Sequence, residues 1–264
     1  MKRFLADMKK YGGYIIYAGK AELRAEVADS YLNWLWWIIE PFCFMLIYTF
    51  IFGYVFNAKE QYHAAFVFIG ITMWNFFSNT LTSSVKCVKA NKSIVSRTYL
   101  PKYILILIKM YVNGFKMMVS FGIIVIMILV YRIPFSFLML WCIPVLATMM
   151  TVTFGICSIM LHFGVYIEDL QKIVKIVLRM LLYLTGIFYD VEKRIGVRMG
   201  IPLRTIIVKI NPMALVIVSM RDCLLYGENV HYCWLALWFA VGIGLSVIGI
   251  RTIYKNENSY VKVI

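Results

Sequence analysis

The sequence predicts an all-α polytopic membrane protein with six transmembrane helices. An amphipathic interfacial helix precedes them, and re-entrant external helices lie between spans five and six. Three observations carry this. Hydrophobic residues fill 62% of 264 positions and charged ones 15%, where a soluble domain is about half apolar and a quarter charged. Apolar runs of about twenty residues, the length that crosses a hydrocarbon core of ~30 Å, recur along the chain. Lys and Arg also favour one side: with the N-terminus inside, sixteen fall on inside segments and eight outside, as positive charge retained in the cytoplasm requires.

In chain order, 1–30 places Phe4, Leu5, Met8, Tyr11, Ile15 and Ile16 at helical spacing against a charged face, with a break expected at Gly12-Gly13. Such a segment suits a helix in the membrane interface. It lacks the apolar core of a signal peptide, so the first span is expected to act as the insertion signal. Clear spans read at 33–56, 64–82, 104–130, 137–163 and 233–253, and a shorter one, carrying Arg179, at 173–189. Between Ile201 and Tyr226, Pro202, Pro212 and scattered charges interrupt the apolar stretch. Half-inserted helices are expected there, because broken backbone survives at membrane depth only under protein or beside water. The chain reads as one domain, 1–264: 1–30 interfacial, 33–189 spans one to five, 190–230 external and re-entrant, 233–253 span six, and 254–264 a cytoplasmic tail. The basic group Lys193, Arg194, Arg198, Arg204, Lys209 and Arg221 falls on the outside and dissents from the charge rule.

Several function classes drop out. A net charge of +14 follows membrane topology, so nucleic acid is not an expected partner. The six cysteines form no CxxC or CxH spacing and read as free thiols that pack like small hydrophobes. His63, His162 and His231 stand apart in sequence, so no metal site and no catalytic residue is assigned. The nearest approach to a phosphate loop, Gly19-Lys20, is followed by Ala21 where a hydroxyl is needed. No cofactor is expected in this chain, and an ATP-driven process would place ATP and Mg on a separate ATPase subunit.

Charges and rings inside the spans are the candidate conduit residues: Glu40, Lys109 and Arg179, with Tyr48, Trp74, Phe76 and Phe77. Intramembrane charge is costly and usually faces a cavity or a partner. Glu40 is expected to pair with Lys109 or with Arg179, or else Glu40 and Lys109 snorkel to water. Lys109 and Lys116, seven apart, share a face. Trp34, Trp36 and Trp37 suit interface anchoring, and rings deeper in a span suit stacking on sugar faces.

Six stretches carry a family likeness: YLNWLWWIIEP (Tyr31–Pro41), GITMWNFFSN (Gly70–Asn79), NKSIVSRTYLPKYI (Asn91–Ile104), VYIEDLQKIVKIVLRMLLYLTGIFY (Val165–Tyr189), NPMALVIVSMRDCLLYG (Asn211–Gly227) and the C-terminal GIRTIYKNENSYVKVI. In this order they resemble the membrane subunit of type-2 ABC exporters, in the branch that moves lipid-linked polysaccharide such as O-antigen, capsule or teichoic acid. The chain departs from that pattern at Glu168-Asp169, where Arg-Asp is usual, at Thr185-Gly186, where Ser-Pro is common, and at Glu40.

The resemblance implies a homodimeric permease in the bacterial inner or cytoplasmic membrane, with both termini cytoplasmic, two ABC ATPase subunits beneath it, and membrane lipids around it. A lipid-linked glycan would be the substrate; an exporter of drugs, peptides or simple lipids is the alternative. It places a coupling helix within Ser84–Tyr99, so Lys86, Lys89, Lys92 and Arg97 would face the ATPase, with Glu168 and Asp169 as a second contact. It makes the Ile201–Tyr226 region an external gate in which Asn211, Pro212 and Arg221 match the family pattern. Arg194, Arg198 and Arg204 join that gate as positive charge for pyrophosphate or anionic sugars.

Overall fold

The computed structural model describes residues 2–28, 31–55, 61–188 and 208–263. Every regular element among them is helical. Helix α1 spans Lys2–Val27 without a break at Gly12-Gly13. The glycine pair, free of crowding, gives up propensity but no packing, and Phe4, Met8, Tyr11 and Ile15 seat the helix on the core. Leu5 and Ile16, expected on the same apolar face, remain exposed.

A 3-10 turn at Asn33–Leu35 leads into α2 (Trp36–Tyr48), which continues as a π-helical segment, Thr49–Val55. Pro41 lies inside α2 and is buried. It has no N–H for the carbonyl of Trp37, which loosens the helix next to Glu40. Helix α3 (His63–Ala90) is the central mast, 78% buried over its span against 11–33% for the other four candidate spans. A helix hydrophobic all round belongs inside a bundle.

At the foot of α3, Asn91 ends the helix by donating from Nδ2 to the carbonyl of Cys87 at 2.8 Å. The chain turns through α4 (Lys92–Arg97) into α5 (Tyr103–Val130). At the top of α5, Arg132 adopts φ 53°, and the Ile133 and Arg132 amides donate to the carbonyls of Ile128 and Leu129. That is a Schellman end with an arginine where glycine is usual. A 3-10 turn at Phe137–Trp141, capped by the Ser136 hydroxyl, opens α6 (Cys142–Tyr166).

Helix α7 (Leu170–Leu184) stands where the span at 173–189 was expected. Its fifteen residues rise about 22 Å, short of a bilayer core, and position 189 lies outside the described residues. Helix α8 (Pro212–Arg221) runs into a π segment, Asp222–Tyr226, which Gly227 ends at φ 62°. Helix α9 (Tyr232–Val263) closes the bundle. Residues 254–263, expected as a tail, continue this helix, and Tyr260 is fully buried. Five helices are thus long and apolar enough to cross a membrane among the described residues.

Helices α6 and α9 lie closest together. Thr151, Gly155 and Ser158 on one face Gly242, Ser246 and Gly249 on the other, at matched spacings of four and three. Small residues at such spacing let helix backbones approach in lipid, where dispersion rather than water exclusion drives association.

Candidate functional site: a polar trail between helices

Two helices carry polar stripes in otherwise apolar spans. On α3, Asn75, Asn79 and Ser83 recur every fourth residue; on α5, Lys109, Asn113, Lys116 and Ser120 recur at four, three and four. These intervals put each set on one face. The two faces meet and open a chain of three clefts. The first, about 370 Å³, lies between α1, α3, α5 and α7 and includes Glu22, Glu26, Lys109, Lys116, Gln171 and Lys175 in its wall. The second, about 160 Å³, shares Asn79, Asn113 and Lys116 with it and reaches Glu40, Asn75 and Ser120. The third, about 180 Å³, shares Glu40 and Asn75 with the second and ends among Tyr48, Trp74 and Phe188.

The charges in the trail are paired from a direction the sequence reading did not weigh. The Lys109 ammonium donates to Glu22 and Lys116 pairs with Glu26 at 2.5 Å, both glutamates coming from α1. The expected Glu40–Lys109 pair does not form. Glu40 makes no ion pair with a described residue and projects into two of the clefts. Arg179 stays exposed on α7, away from Glu40's clefts. Asn113 donates to the Thr80 hydroxyl at 3.1 Å, and Thr80 donates to the Phe76 carbonyl at 2.6 Å, so the α3–α5 seam is hydrogen-bonded beside the second cleft.

The expected conduit rings divide. Tyr48 packs on Phe188 with centroids 4.0 Å apart and, with Trp74, walls the third cleft; Phe76 walls the second. Phe77 turns into the core against Trp74. The clefts therefore mix amide, hydroxyl and charged groups with aromatic faces, a lining suited to a hydrated polar cargo.

At the base, Lys86, Lys92, Arg97, Glu168 and Asp169 are exposed and Lys89 is half-buried. Asp169 pairs with Lys172 at 2.8 Å, and Gln171 donates to the Thr82 carbonyl at 3.2 Å, tying α7 to α3. Beneath α5, Arg3 donates to the Tyr99 hydroxyl and to Glu257 (3.2 Å), and Tyr99 donates to Glu257 at 3.0 Å. Tyr103 and Tyr254 both donate to Asp7, at 2.9 and 2.8 Å. Burial, reinforced by Glu257, raises the Tyr99 phenol above its usual range; burial lowers Lys102, with Glu257 opposing.

In the expected gate, Asn211 caps α8 by accepting from the amides of Met213 and Ala214, and Pro212 takes the first helical position. Both are helix-start residues. Arg221 is 2% exposed; its guanidinium donates to the carbonyls of Phe66, Gly186 and Ile187. It serves as an interior clamp between α8, α3 and the end of α7. Arg194, Arg198 and Arg204 lie outside the described residues. Among the described residues, no three His, Cys, Asp or Glu side chains gather to hold a metal.

Residues 15–225 match the family model for the ABC-2 type transporter. The chain belongs to the ABC-2 type transporter family. Within that family it is similar to two O-antigen export system permease proteins RfbA from Klebsiella pneumoniae. They are 26% and 25% identical over 245 residues, 92% of this chain and 92% of each relative. An RfbA of Myxococcus xanthus is 23% identical over 222 residues, 84% of each chain. The matched region takes in the polar trail and the Arg221 clamp, so this ABC-2 chain carries its clefts within the family's own portion.

Proposed function

We propose that this chain is the membrane-spanning permease subunit of an ATP-driven exporter that carries a lipid-linked polysaccharide of the O-antigen type across the bacterial inner membrane. Similarity over nearly the whole length to relatives named O-antigen export permeases carries the reading. The trail from Lys109 to Tyr48, polar below and aromatic above, supports it. Two copies would face each other across the trail, and their partner surfaces would complete a conduit.

Two ATPase subunits would hold ATP and Mg and dock under α4 and the Glu168-Asp169 turn. Both termini would be cytoplasmic. The segment 173–189 would be the fifth of six spans, and the region of 190–230 would form the re-entrant external gate. ATP-driven closure beneath would move α4 and open the path between the two copies.

Deleting the gene and following lipid-linked glycan on each face of the inner membrane tests this. Accumulation on the cytoplasmic face with loss of surface glycan supports the reading. Normal surface glycan with no accumulation overturns it and favours an exporter of drugs, peptides or simple lipids.

A further inference from the structure

Lys109 and Lys116 stand two helical turns apart on α5, and glutamates one turn apart on α1 answer them. Two features separate these pairs from ordinary structural ion pairs. The protein leaves all four side chains partly uncovered, at 21–37% exposure, so burial does not lock them, and exposed pairs hold weakly. They also lie at a marked depth. The Lys116 ammonium sits 5.9 Å from the centre of the Trp37 ring, and Trp34 and Trp36, just before Trp37 in the chain, are exposed. A cluster of tryptophans at the start of a span marks the level of lipid headgroups.

The cleft that these pairs line also holds Lys175. Three lysines against two glutamates leave it positive by one. Lys109 and Lys116 are about 10 Å apart along the helix axis, a span that two long flexible side chains can close onto a single diphosphate.

The geometry points to a phosphate site for a lipid headgroup, in which the phosphate takes Lys109 and Lys116 from Glu22 and Glu26. Lysine binds phosphate as a mobile point charge, so the exchange trades one set of charge pairs for another and leaves neither Lys109 nor Lys116 unpaired. The displaced glutamates turn to water, and α1 loses two of its ties to α5. Helix α1 is thus a counter-charged cover that gives way to the correct anion. The diphosphate of a polyprenyl carrier as the preferred occupant rests on the exporter reading above; the phosphate site itself does not.

The test uses the exporter purified as assembled in its own membrane and reconstituted in phosphatidylethanolamine nanodiscs. Binding of a fluorescent polyprenyl diphosphate and of phosphatidylglycerol is measured separately. Glu22→Gln with Glu26→Gln unmasks both lysines and should tighten binding about tenfold, whereas Lys109→Gln with Lys116→Gln should weaken it by at least as much. If the pairs only hold α1 in place, the glutamine variant frays α1 and gains no affinity for either lipid, which overturns the proposal. Should that double variant fail to assemble, Lys116→Gln alone, which keeps the Glu22–Lys109 pair, must still weaken binding, and unchanged binding overturns the proposal.

A gain confined to the diphosphate assigns the site to the carrier; an equal gain for phosphatidylglycerol keeps the phosphate site and assigns it to bulk anionic lipid. Surface glycan, scored in the same cells, reports separately on export. Cells that depend on the gene for glycan but show no lipid response in either variant lose the site and keep the exporter.

Discussion

The guanidinium carbon of Arg221 lies over Phe66, 3.4 Å from the ring centre, while its Nε donates to the carbonyl of the same residue at 3.1 Å. One side chain thereby holds α8 to α3 by a cation–π contact and by charge-assisted hydrogen bonding together, and its bonds to Gly186 and Ile187 secure the turn after α7. Arg221→Lys keeps the charge but loses the planar fork. It should cost about 3 kcal/mol, in the range for breaking buried charge interactions, read as thermal unfolding in detergent. Gly70→Ala should act on the same clamp, because its Cβ would stand 2.5 Å from Nη2 of Arg221.

Gly164 on α6 faces the backbone carbonyl of Val85 on α3, and a Cβ there would collide with backbone that cannot rotate away. Gly164→Val should separate the lower ends of the two helices and cost about 3 kcal/mol, at the upper end for overpacking. Gly122, with open space around it, serves as the control: Gly122→Ala should hold or slightly raise the unfolding temperature.

Arg132 adopts a left-handed conformation that costs a side-chain-bearing residue about 1–2 kcal/mol. Arg132→Gly should recover about 1 kcal/mol of that cost, seen as a higher unfolding temperature. A loss of stability would mean that the arginine side chain contributes more at the membrane surface than its backbone forfeits.

Tyr99 bridges Arg3 and Glu257 at the end of the segment that follows α4. Tyr99→Phe should cost about 1–2 kcal/mol, because it leaves part of a buried carboxylate unsatisfied. Hydrogen exchange should localise the effect: faster at the start of α1 and the end of α9, unchanged in α3. A uniform rise over the bundle would contradict a local clasp.

The spans were legible because lipid imposes a length and a composition. The run at 104–130 became Tyr103–Val130, and that at 137–163 became Phe137–Tyr166. The helix start at Asn211-Pro212 was readable in principle from capping chemistry. Tertiary packing decided the rest. Gly12-Gly13 reads as a break, yet α1 runs through it because α5 supports the helix on both sides, at Phe4 against Tyr103 and at Gly19 beneath the Tyr111 ring. A search for partners within the spans could not find Glu22 and Glu26, which reach the trail from a helix outside them. The stripes through Asn75, Asn79 and Ser83 and through Lys109, Asn113, Lys116 and Ser120 stand in the sequence at helical spacing, of which the shared face of Lys109 and Lys116 is the part the charges alone make visible. Arg221 was expected within an external basic group and gate, and its bonds to the carbonyls of Phe66, Gly186 and Ile187 identify it as interior.

Arg3 and Glu257 meet although 254 positions separate them. During synthesis this end of α1 can meet Tyr99 and Tyr103 early, but its partners Tyr254 and Glu257 come only with α9. Until then Arg3 lacks its carboxylate from α9 and Asp7 lacks the Tyr254 hydroxyl. A nascent chain that stalls before α9 leaves these bonds unmade, so the clasp closes only when the first and last described helices are both in place.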